Sequence, residues 1–428
     1  MEVRLSGGDD RNLMERLLEK QIPLANSCNG KGTCGKCKVK VVSGTITDVT
    51  DTERRLLTEK EVADRIRLAC MTKARGEIVI ETGEVEEDHV FTTGGVEGHF
   101  KRDADKHGYG LAVDIGTTTV VATLVCLDDG TEGATYAQIN PQKTYGLDVL
   151  TRITYETEYK EKAITQLQEA IVHGLNEAIK GICAEAGIDV TQIGEIDIAA
   201  NCTMLHMLAG VDARPIGRAP YKPAFTDGQK LKARDLGLMG AADAMVYLLP
   251  SVSAYIGADI VAGVYVCDLR HSPGKTLFID IGTNGELVLE AGGKMYSCSC
   301  AAGPALEGMN ITSGMRAAKG AVEDVHIGPD GIRLDVIGKG KPHGLCGSGI
   351  LAVVRELVRT GLVTRRGAFA KPEDFEVGDY RRDILRYNGT KREALLYSNG
   401  ETELLVTQSD VRQVQLAKGA IRSGIEVL

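Results

Sequence analysis

The sequence predicts two unlike parts in one chain: a small α+β domain over residues 1–82 and a larger, internally duplicated α/β region over residues 109–428. Three observations support this division. A loop at residues 28–37 contains three cysteines and three glycines. The tetrapeptide Asp-Ile-Gly-Thr, each time after an apolar run, occurs at Asp114 and again at Asp280. The segment between the two parts is acidic and poor in aliphatic side chains, which is typical of a linker.

Length and composition restrict the possible classes of protein. The chain has 428 residues, which exceeds the roughly 250–300 residues at which single hydrophobic cores stop growing. The net charge of −9 argues against nucleic acid as the main partner, because phosphate binding needs concentrated Lys and Arg. No signal peptide and no membrane-spanning apolar run is visible, so we expect a cytoplasmic protein without a membrane partner. In that compartment the eleven cysteines are metal ligands or core residues rather than disulfides.

Periodicity and capping residues predict the elements of residues 1–82. The segment RNLMERLLEKQI predicts a helix, because Leu13, Leu17 and Leu18 share one face. The segments KCKVKVVSG and GEIVIET predict strands. Between them, the segment TDTERRLLTEKEVADRIRLAC, which ends at Cys70, predicts one helix.

Four cysteines are the candidate metal ligands: Cys28, Cys34, Cys37 and, after a long gap, Cys70. Their spacing, C-x5-C-x2-C with a distant fourth cysteine, is one residue longer than that of plant-type [2Fe–2S] ferredoxins and resembles the adrenodoxin type. The glycines would let the loop curl and turn N–H groups towards the cluster sulfurs. A structural zinc site, which more often uses two close ligand pairs, and unliganded core cysteines are the alternatives. Cys298 and Cys300 alternate along a predicted strand and receive no role.

Each Asp-Ile-Gly-Thr copy suits a phosphate site. Glycine lets backbone N–H groups approach an anion, and threonine adds a hydroxyl. An aspartate that ends a buried strand can hold Mg²⁺, directly or through water, or orient an attacking water. In the second copy Asn284 and Gly285 replace Thr118 and Thr119. The repeat predicts two halves that each begin with a β-hairpin, and the alternative is two ordinary hairpins with Asp and Gly in their turns.

Three further segments complete the larger region. The segment KAITQLQEAIVHGLNEAIKGICAEAG predicts a long amphipathic helix. The segment SDVRQVQLAKGAIRSGIEVL predicts a helix with Ser409 as its N-cap. In HGLCGSGIL, Gly347 and Ser348 come immediately before an apolar helix whose N-terminus offers free N–H groups. On its own this turn would be interpreted as packing glycines.

Residues 109–428 resemble the acetate and sugar kinase/Hsp70/actin superfamily of ATPases. Its phosphate motifs match DIGTTT and DIGTNGE, and its connecting motifs look like IDIAANCTMLHMLAG and HGLCGSGIL. With the cysteine loop, CAAGPALEGMNITSGMRA and VTQSDVRQVQLAKGAIRSGIE, nearly the whole chain closely resembles the reductive activators of corrinoid proteins. The resemblance implies an α+β ferredoxin-like (β-grasp) domain at 1–82, a linker at 83–108, and an α/β actin-like duplicated ATPase with halves at 109–275 and 276–428.

This resemblance also implies a function and a set of site residues. The ATPase would drive an electron from a [2Fe–2S] cluster on the four cysteines to the Co(II) form of a corrinoid protein, restoring Co(I) for methyl transfer. ATP and Mg²⁺ would be cofactors, an unidentified low-potential donor would supply the electron, and the chain would form a homodimer. Nucleotide contacts would come from Gly116, Thr117, Thr118, Gly282, Thr283, Asn284, Gly347 and Ser348. The catalytic candidates are Asp114, Asp280 and Glu286, and either of the last two would orient water.

The chain departs from the family pattern in two places. Its N-terminus leaves room for only a short first strand. It ends before a glycine-rich adenosine-binding segment, typically like LAGGFG, so the second half is expected to be incomplete.

Three competing functions stay open. The first is an activator resembling those of 2-hydroxyacyl-CoA dehydratases, which carry a bridging [4Fe–4S] cluster and no ferredoxin domain. The second is a redox- or nucleotide-sensing binding module without turnover. The third is a small-molecule kinase, whose chemistry needs no one-electron carrier.

Overall fold

The chain divides into two compact units, Met1–Asp88 with Lys143–Leu147 and His89–Gln142 with Asp148–Leu428. We name them the cysteine unit and the hairpin unit. Most of the predicted linker, together with Cys28 and Cys34, lies outside the residues that the structure describes. The computed structural model describes residues 2–20 (without the side chain of Leu18), 22, 24, 30, 32, 35, 37–82, 103, 105–146, 148–400 and 402–428.

The cysteine unit contains a four-stranded antiparallel sheet in the order β1-β4-β2-β3. Its strands are β1 (Glu2–Leu5), β2 (Lys38–Ser43), β3 (Ile66–Leu68) and β4 (Ile78–Thr82). Its helices are α1 (Leu13–Glu19), α2 (Asp51–Leu56) and α3 (Glu59–Ala63). Alternate strand residues such as Val3 and Ile80 point into one core, where Leu13 and Leu17 of α1 are fully buried. The predicted α+β unit is confirmed.

The prediction of a single helix ending at Cys70 is wrong, because this segment contains α2, α3 and β3. Thr50 and Thr58 each accept a hydrogen bond from the N–H three residues on, and Glu53 and Glu61 each return one. Two capping boxes therefore start two separate short helices. The helical periodicity of the apolar residues hid this second start signal.

Glu53 is a buried carboxylate that ties α2 to the segment carrying Cys70. It accepts hydrogen bonds from the Arg67 guanidinium at 2.9 Å, from the Leu68 N–H at 3.1 Å and from the Thr72 hydroxyl at 3.1 Å. Burial alone would raise the pKa of Glu53, but the Arg67 hydrogen bond and the backbone donors outweigh it and lower the pKa to about 2.

The first part of the hairpin unit is built on a six-stranded sheet in the order β7-β6-β5-β8-β10-β9, in which β5, β8 and β10 are parallel. Its strands are β5 (Tyr109–Ile115), β6 (Thr119–Cys126), β7 (Glu132–Ile139), β8 (Ile193–Ala200), β9 (Gln229–Lys232) and β10 (Met245–Leu248). Its helices are α4 (Val149–Tyr159), α5 (Glu161–Ala186), α6 (Cys202–Leu208), α7 (Ala233–Leu236) and α8 (Ala258–Val266). The long predicted helix is α5, and its residues Leu167, Ile171, Leu175 and Ile182 are at most 2% exposed.

The second part contains three three-stranded sheets, in the orders β11-β12-β13, β15-β14-β16 and β17-β18-β19. The strands of the first two sheets are β11 (Thr276–Ile281), β12 (Gly285–Ala291), β13 (Lys294–Cys300), β14 (Ala321–Gly328), β15 (Gly331–Val336) and β16 (Gly344–Leu345). The third sheet consists of β17 (Leu385–Asn388), β18 (Lys391–Ser398) and β19 (Glu403–Thr407). The helices are α9 (Gly347–Arg359), α10 (Tyr380–Ile384) and α11 (Gln408–Val427).

The two predicted hairpins are β5–β6 and β11–β12, and both are antiparallel. In each part the third strand extends the hairpin, and a long helix packs against it: α5 against β6 and β7, α11 against β12 and β13. The parts differ at the first strand of each hairpin. β5 lies between β6 and β8, whereas β11 pairs only with β12 among the described residues. Accordingly Ile115 is fully buried, while the corresponding Ile281 is 50% exposed.

The α11 helix begins two residues earlier than predicted. Its N-cap is Thr407, not Ser409, because Thr407 and Asp410 form a reciprocal capping box. Both long helices, α5 and α11, have an apolar and a polar face, and within the described part of the chain no helix is long and apolar enough to cross a membrane.

We expect Glu53→Gln to destabilise the cysteine unit by about 3–5 kcal/mol, because the substitution leaves the buried Arg67 guanidinium without its counter-charge. Hydrogen exchange of the β3 and β4 amides in the full chain measures this effect locally. The folded-state pKa of Glu53 is lowered to about 2. Its contribution is therefore full above its ordinary pKa of 4.5, and it is lost as the pH falls from there towards 2.

Glu61→Gln is the matched control, because Glu61 occupies the same capping-box position in α3 but lies at the surface beside the exposed Lys38. We expect its effect to stay within about 1 kcal/mol. Equal effects of the two substitutions would contradict the role given to the buried ion pair.

Candidate functional site

Two of the four predicted cluster ligands lie side by side. Cys37 directly precedes β2 and Cys70 closely follows β3, and the pairing of these strands brings the two Sγ atoms to 3.3 Å. Both side chains are buried. The hydrogen bond with the Cys70 thiol lowers the pKa of the Cys37 thiol despite burial, which favours the thiolate that metals bind. This pair fits the donor set of an iron–sulfur cluster, and Cys28 and Cys34 lie outside the described residues.

The glycines of the cysteine loop have a steric and conformational role. Gly30 and Gly32 have φ angles of 78° and 67°, in the left-handed region that other residues avoid. A Cβ atom at Gly30 would lie 2.8 Å from Cε of Met14, and one at Gly32 would lie 2.9 Å from Cε of Met71. Because these two contacts are with the ends of flexible methionine side chains, the positive φ angles are the stronger reason for glycine at both positions. The direction of its N–H groups towards a cluster stays a prediction.

The loops of the two hairpins differ in length. Ile115 pairs with Val120, which leaves four residues in the first loop (116–119), whereas Ile281 pairs with Gly285, which leaves three in the second loop (282–284). After the loop, residues of the two repeats that align in sequence therefore differ by one position in strand pairing, so that Gly285 corresponds to Val120 rather than to Thr119. As a result Asp280 lies directly opposite Glu286, whereas Asp114 lies opposite Val121.

The second loop is fixed by contacts with the small-residue segment after β13. The Thr283 hydroxyl donates to Glu307 at 2.6 Å, and the Gly303 N–H donates to the Thr283 carbonyl at 2.8 Å. The predicted nucleotide contacts Gly282, Thr283 and Asn284 thus lie in a loop that is held from one side.

Asp114, Asp280 and Glu286 come together with Asp259 of α8 in what we name the acidic recess. Asp114 and Asp280 are exposed to solvent, yet protein atoms surround them on most sides. This partial desolvation, with the charges of Asp259 and Asp280, raises the pKa of Asp114 to about 6. Desolvation raises the pKa of Asp259 to about 6 and also raises the pKa of Asp280. Desolvation, together with the charges of Asp259 and Asp280, raises the pKa of Glu286 to about 7. The ionised forms of these carboxyl groups are therefore disfavoured as long as no positive charge lies beside them.

The acidic recess fits a hydrated cation. Within the described ranges no three His, Cys, Asp or Glu side chains converge closely enough to hold a metal ion by themselves. Mg²⁺ usually keeps several waters and binds one or two carboxylates together with substrate phosphates. A cation there would favour the ionised carboxylates and lower their pKa values.

Gly347 and Ser348 form the first turn of α9, rather than preceding it as predicted. A Cβ atom at Gly347 would lie 1.9 Å from the Leu306 carbonyl oxygen, so Gly347 is a packing glycine. Ser348 is exposed and lines an open recess of about 690 Å³ with Arg355 and Lys418. Their contact with a nucleotide stays a prediction.

The sequence analysis missed Asp259 and three residues around the first loop: Asn140, Arg152 and Asn201. Gly-Ala-Asp before the apolar run of α8 was the available signal for Asp259. Gly257 lets α8 begin against the end of β8, since a Cβ atom there would lie 2.5 Å from Cα of Asn201. Asn201 is the N-cap of α6 within the motif IDIAANCTMLHMLAG, and its side chain donates to the Thr117 hydroxyl at 3.0 Å. No local pattern marks Asn140 or Arg152.

Three family models match the chain. The model of the 2Fe-2S iron-sulfur cluster binding domain matches residues 2–75. The RACo middle region matches residues 109–272, and the C-terminal domain of RACo, the ASKHA domain, matches residues 274–428. The ferredoxin-type domain and the actin-like ATPase domain are therefore present. The expectation that the second half is incomplete receives no support from the match to the C-terminal domain.

Similar proteins are named for corrinoid activation. The corrinoid activation enzyme RamQ of Eubacterium limosum is 35% identical over 75% of this chain and 54% of its own length. The [Co(II) methylated amine-specific corrinoid protein] reductase of Methanosarcina barkeri is 26% identical over 51% of this chain and 40% of its own length. The chain thus spans about half the length of these curated relatives.

A solved structure matches nearly the whole chain. The structure described as a reductive activator for corrinoid, iron-sulfur protein has a TM-score of 0.66 and 28% identity, covering 99% of this chain and 81% of its own. The two RACo models adjoin and together match most of the chain, and the cluster-binding model precedes them. The chain therefore belongs to the family of reductive activators of corrinoid proteins.

Proposed function

We propose that the chain is an ATP-dependent reductive activator that transfers one electron from a [2Fe–2S] cluster to the Co(II) form of a corrinoid protein, giving Co(I) for methyl transfer. One observation carries the proposal: a buried pair of thiols in a ferredoxin-type unit and an acidic recess between two ATPase hairpins occur in one chain. Neither a kinase nor a simple redox protein needs both. The names of the relatives agree with this proposal.

In the cysteine unit the proposed ligands are Cys28, Cys34, Cys37 and Cys70. When bound, the cluster supplies a one-electron carrier. The chain's own contribution is to hold two thiols 3.3 Å apart, to exclude water from them and to favour the thiolate at Cys37. Glu53 fixes the segment that carries Cys70, because it accepts hydrogen bonds from Leu68 and Thr72 on either side of that cysteine.

In the hairpin unit we assign the polyphosphate of ATP to the first and second loops, with Gly116, Thr117 and Thr118 on one side and Gly282, Thr283 and Asn284 on the other. Gly347 and Ser348 stay proposed contacts at the start of α9. Asp114 and Asp280 would bind Mg²⁺ through its water shell. The cation would bring positive charge into a recess where carboxylates alone would repel phosphate.

We assign the orientation of the attacking water to Glu286. Its pKa of about 7 lies near the operating pH, which suits a residue that accepts a proton. Ser299 donates to its carboxylate at 3.1 Å and so limits its rotation. Asp280, directly opposite, is then left for the cation.

ATP is needed because reduction of Co(II) is uphill for a ferredoxin-type donor. A one-electron transfer loses about a factor of ten in equilibrium for every 59 mV uphill. Nucleotide can change this only by binding one conformation of the complex more tightly than another. Loops from two hairpins that share one nucleotide form such a two-state element.

The proposed partners are a corrinoid protein, an unidentified low-potential donor and a second copy of the chain. The proposed domains are the parts at 1–82, 83–108, 109–275 and 276–428.

The direct test follows the cobalt. The anaerobically reduced protein is mixed with a corrinoid protein in the Co(II) state, and the absorbance of Co(I) is recorded with and without MgATP. We expect Co(I) only with MgATP and no Co(I) from the Cys70→Ser variant, which lacks a proposed ligand. Cys267→Ser is the matched control, because Cys267 is an exposed cysteine of the hairpin unit.

Two outcomes would contradict the proposal. Co(I) formation without nucleotide would remove the role of ATP. A reduced, nucleotide-bound protein that binds the corrinoid protein without forming Co(I) would favour a redox-sensing binding module.

Glu286→Gln tests the ATPase assignment. We expect kcat for ATP hydrolysis to fall by about 100-fold or more with little change in KM, because the variant binds nucleotide but cannot accept a proton. In the unmodified protein kcat/KM should rise with pH through about 7, as Glu286 ionises, and the variant should lose this rise. Glu290→Gln, on the same face of β12, is the control. Similar losses of kcat in both variants would show that the loss comes from a disturbed structure, and would contradict the role assigned to Glu286.

A further inference from the structure

The first loop is held from behind through its carbonyl groups. The Asn140 side chain donates to the Gly116 carbonyl at 2.8 Å, and the Asn140 N–H donates to the Thr118 carbonyl at 2.9 Å. The Arg152 guanidinium donates to the carbonyl between them, that of Thr117. Three consecutive carbonyl oxygens, which would repel a phosphate, are thus engaged on the side of Asn140 and Arg152.

The N–H groups of this loop are left for another partner. Among the described residues, the N–H groups of Thr117 and Thr118 donate no hydrogen bond. The Thr117 hydroxyl is oriented by the amide of Asn201, at 3.0 Å. Backbone N–H groups that are free while the neighbouring carbonyls are engaged form the kind of concave site that binds anions.

Arg152 is fully buried at the centre of this arrangement. Besides Thr117 it contacts Gln142 Oε1 at 3.1 Å and Met204 Sδ at 3.0 Å. Gln142 is fixed in turn, since its side chain donates to the Leu167 carbonyl of α5 at 2.9 Å. Arg152 is therefore held by α4, α5 and α6 together rather than by the loop alone.

Arg152 carries its positive charge into this buried position. Burial lowers the pKa of Arg152 to about 10, against the favourable charge of Asp148, so the guanidinium stays protonated at neutral pH. A buried cation behind an anion site acts at low effective dielectric, where its attraction for phosphate is stronger than at the surface. It also polarises the Thr117 peptide group to which it donates.

We propose that Arg152, together with Asn140 and Asn201, is a positioning residue for the polyphosphate of the nucleotide: it fixes the first loop so that its N–H groups face the phosphates and it supplies a buried positive charge behind them. The inference rests on the proposed nucleotide site and adds residues to it. Arg152 acts through the Thr117 peptide group and has no contact with the reacting atoms.

The test compares the binding of MgATP with that of adenosine to the full-length chain. We expect Arg152→Met to weaken MgATP binding by about tenfold, the effect of losing one charge-assisted hydrogen bond, and to leave adenosine binding within twofold. Arg152→Lys, which keeps the charge but not the planar donor group, should recover part of the loss. Arg214→Met is the control, because Arg214 is a partly exposed, ion-paired arginine of the same part of the unit and has no contact with the first loop among the described residues.

Asn201→Ser keeps the test decisive if a variant of the buried arginine does not fold. Serine is as good an N-cap as asparagine, so α6 should be retained, but the amide donor to the Thr117 hydroxyl is lost. We expect about a threefold weaker affinity for MgATP, unchanged affinity for adenosine and an unchanged Tm.

The outcomes separate this inference from the proposed function. If the unmodified chain does not bind MgATP, the proposed nucleotide site itself is wrong, and the inference is overturned with it. If it binds, the inference is overturned when the folded variants bind MgATP as tightly as the unmodified chain, or when they lose adenosine and MgATP equally.

Discussion

The carboxyl groups of the acidic recess repel one another, and the backbone of the hairpin unit has to hold them together. Asp114 is the penultimate residue of β5, which pairs with β6 on one side and β8 on the other. Asp280 of β11 pairs directly with Glu286 of β12. Asp259 is placed by the start of α8, which Gly257 allows to lie against the end of β8. Desolvation is the largest cause of the raised pKa values of Asp114, Asp259 and Glu286, and the charges of the neighbouring carboxylates raise them further. Natural proteins keep such unfavourable clusters where function needs them, and the function proposed here is to bind a cation together with the phosphates of the nucleotide.

Two sites with opposite requirements are kept in separate units. The cysteine unit buries the thiols of Cys37 and Cys70, and its buried charges, Glu53 and Arg67, are paired with each other. The acidic recess is open to solvent, and the first loop beside it is held by Arg152 and Asn140 through its carbonyl groups. A site that must exchange nucleotide needs access and a rigid wall, whereas a site that holds a redox group needs exclusion of water.

Much of this architecture could be predicted from the sequence, because the informative residues are close in sequence. The duplicated Asp-Ile-Gly-Thr predicted both hairpins, periodicity predicted α1 and α5, and an N-cap candidate at Ser409 predicted α11. The α2–α3 break was missed because a second capping box interrupts an apparently continuous helical pattern. The different loop lengths were missed because only strand register shows that Ile115 pairs with Val120 and Ile281 with Gly285. Arg152 was missed because its partners, Thr117 and Met204, come from distant segments and no local pattern marks it.

The measurement that tests the central claim most directly is electron paramagnetic resonance of the reduced protein, rapidly mixed and frozen with a Co(II) corrinoid protein. The account predicts that with MgATP the signals of the reduced cluster and of Co(II) disappear together, one cluster electron for each cobalt, and that both signals persist without nucleotide. Loss of the Co(II) signal while the cluster signal stays unchanged would contradict the account, because the electron would then come from elsewhere. Persistence of both signals with MgATP bound would contradict it as well.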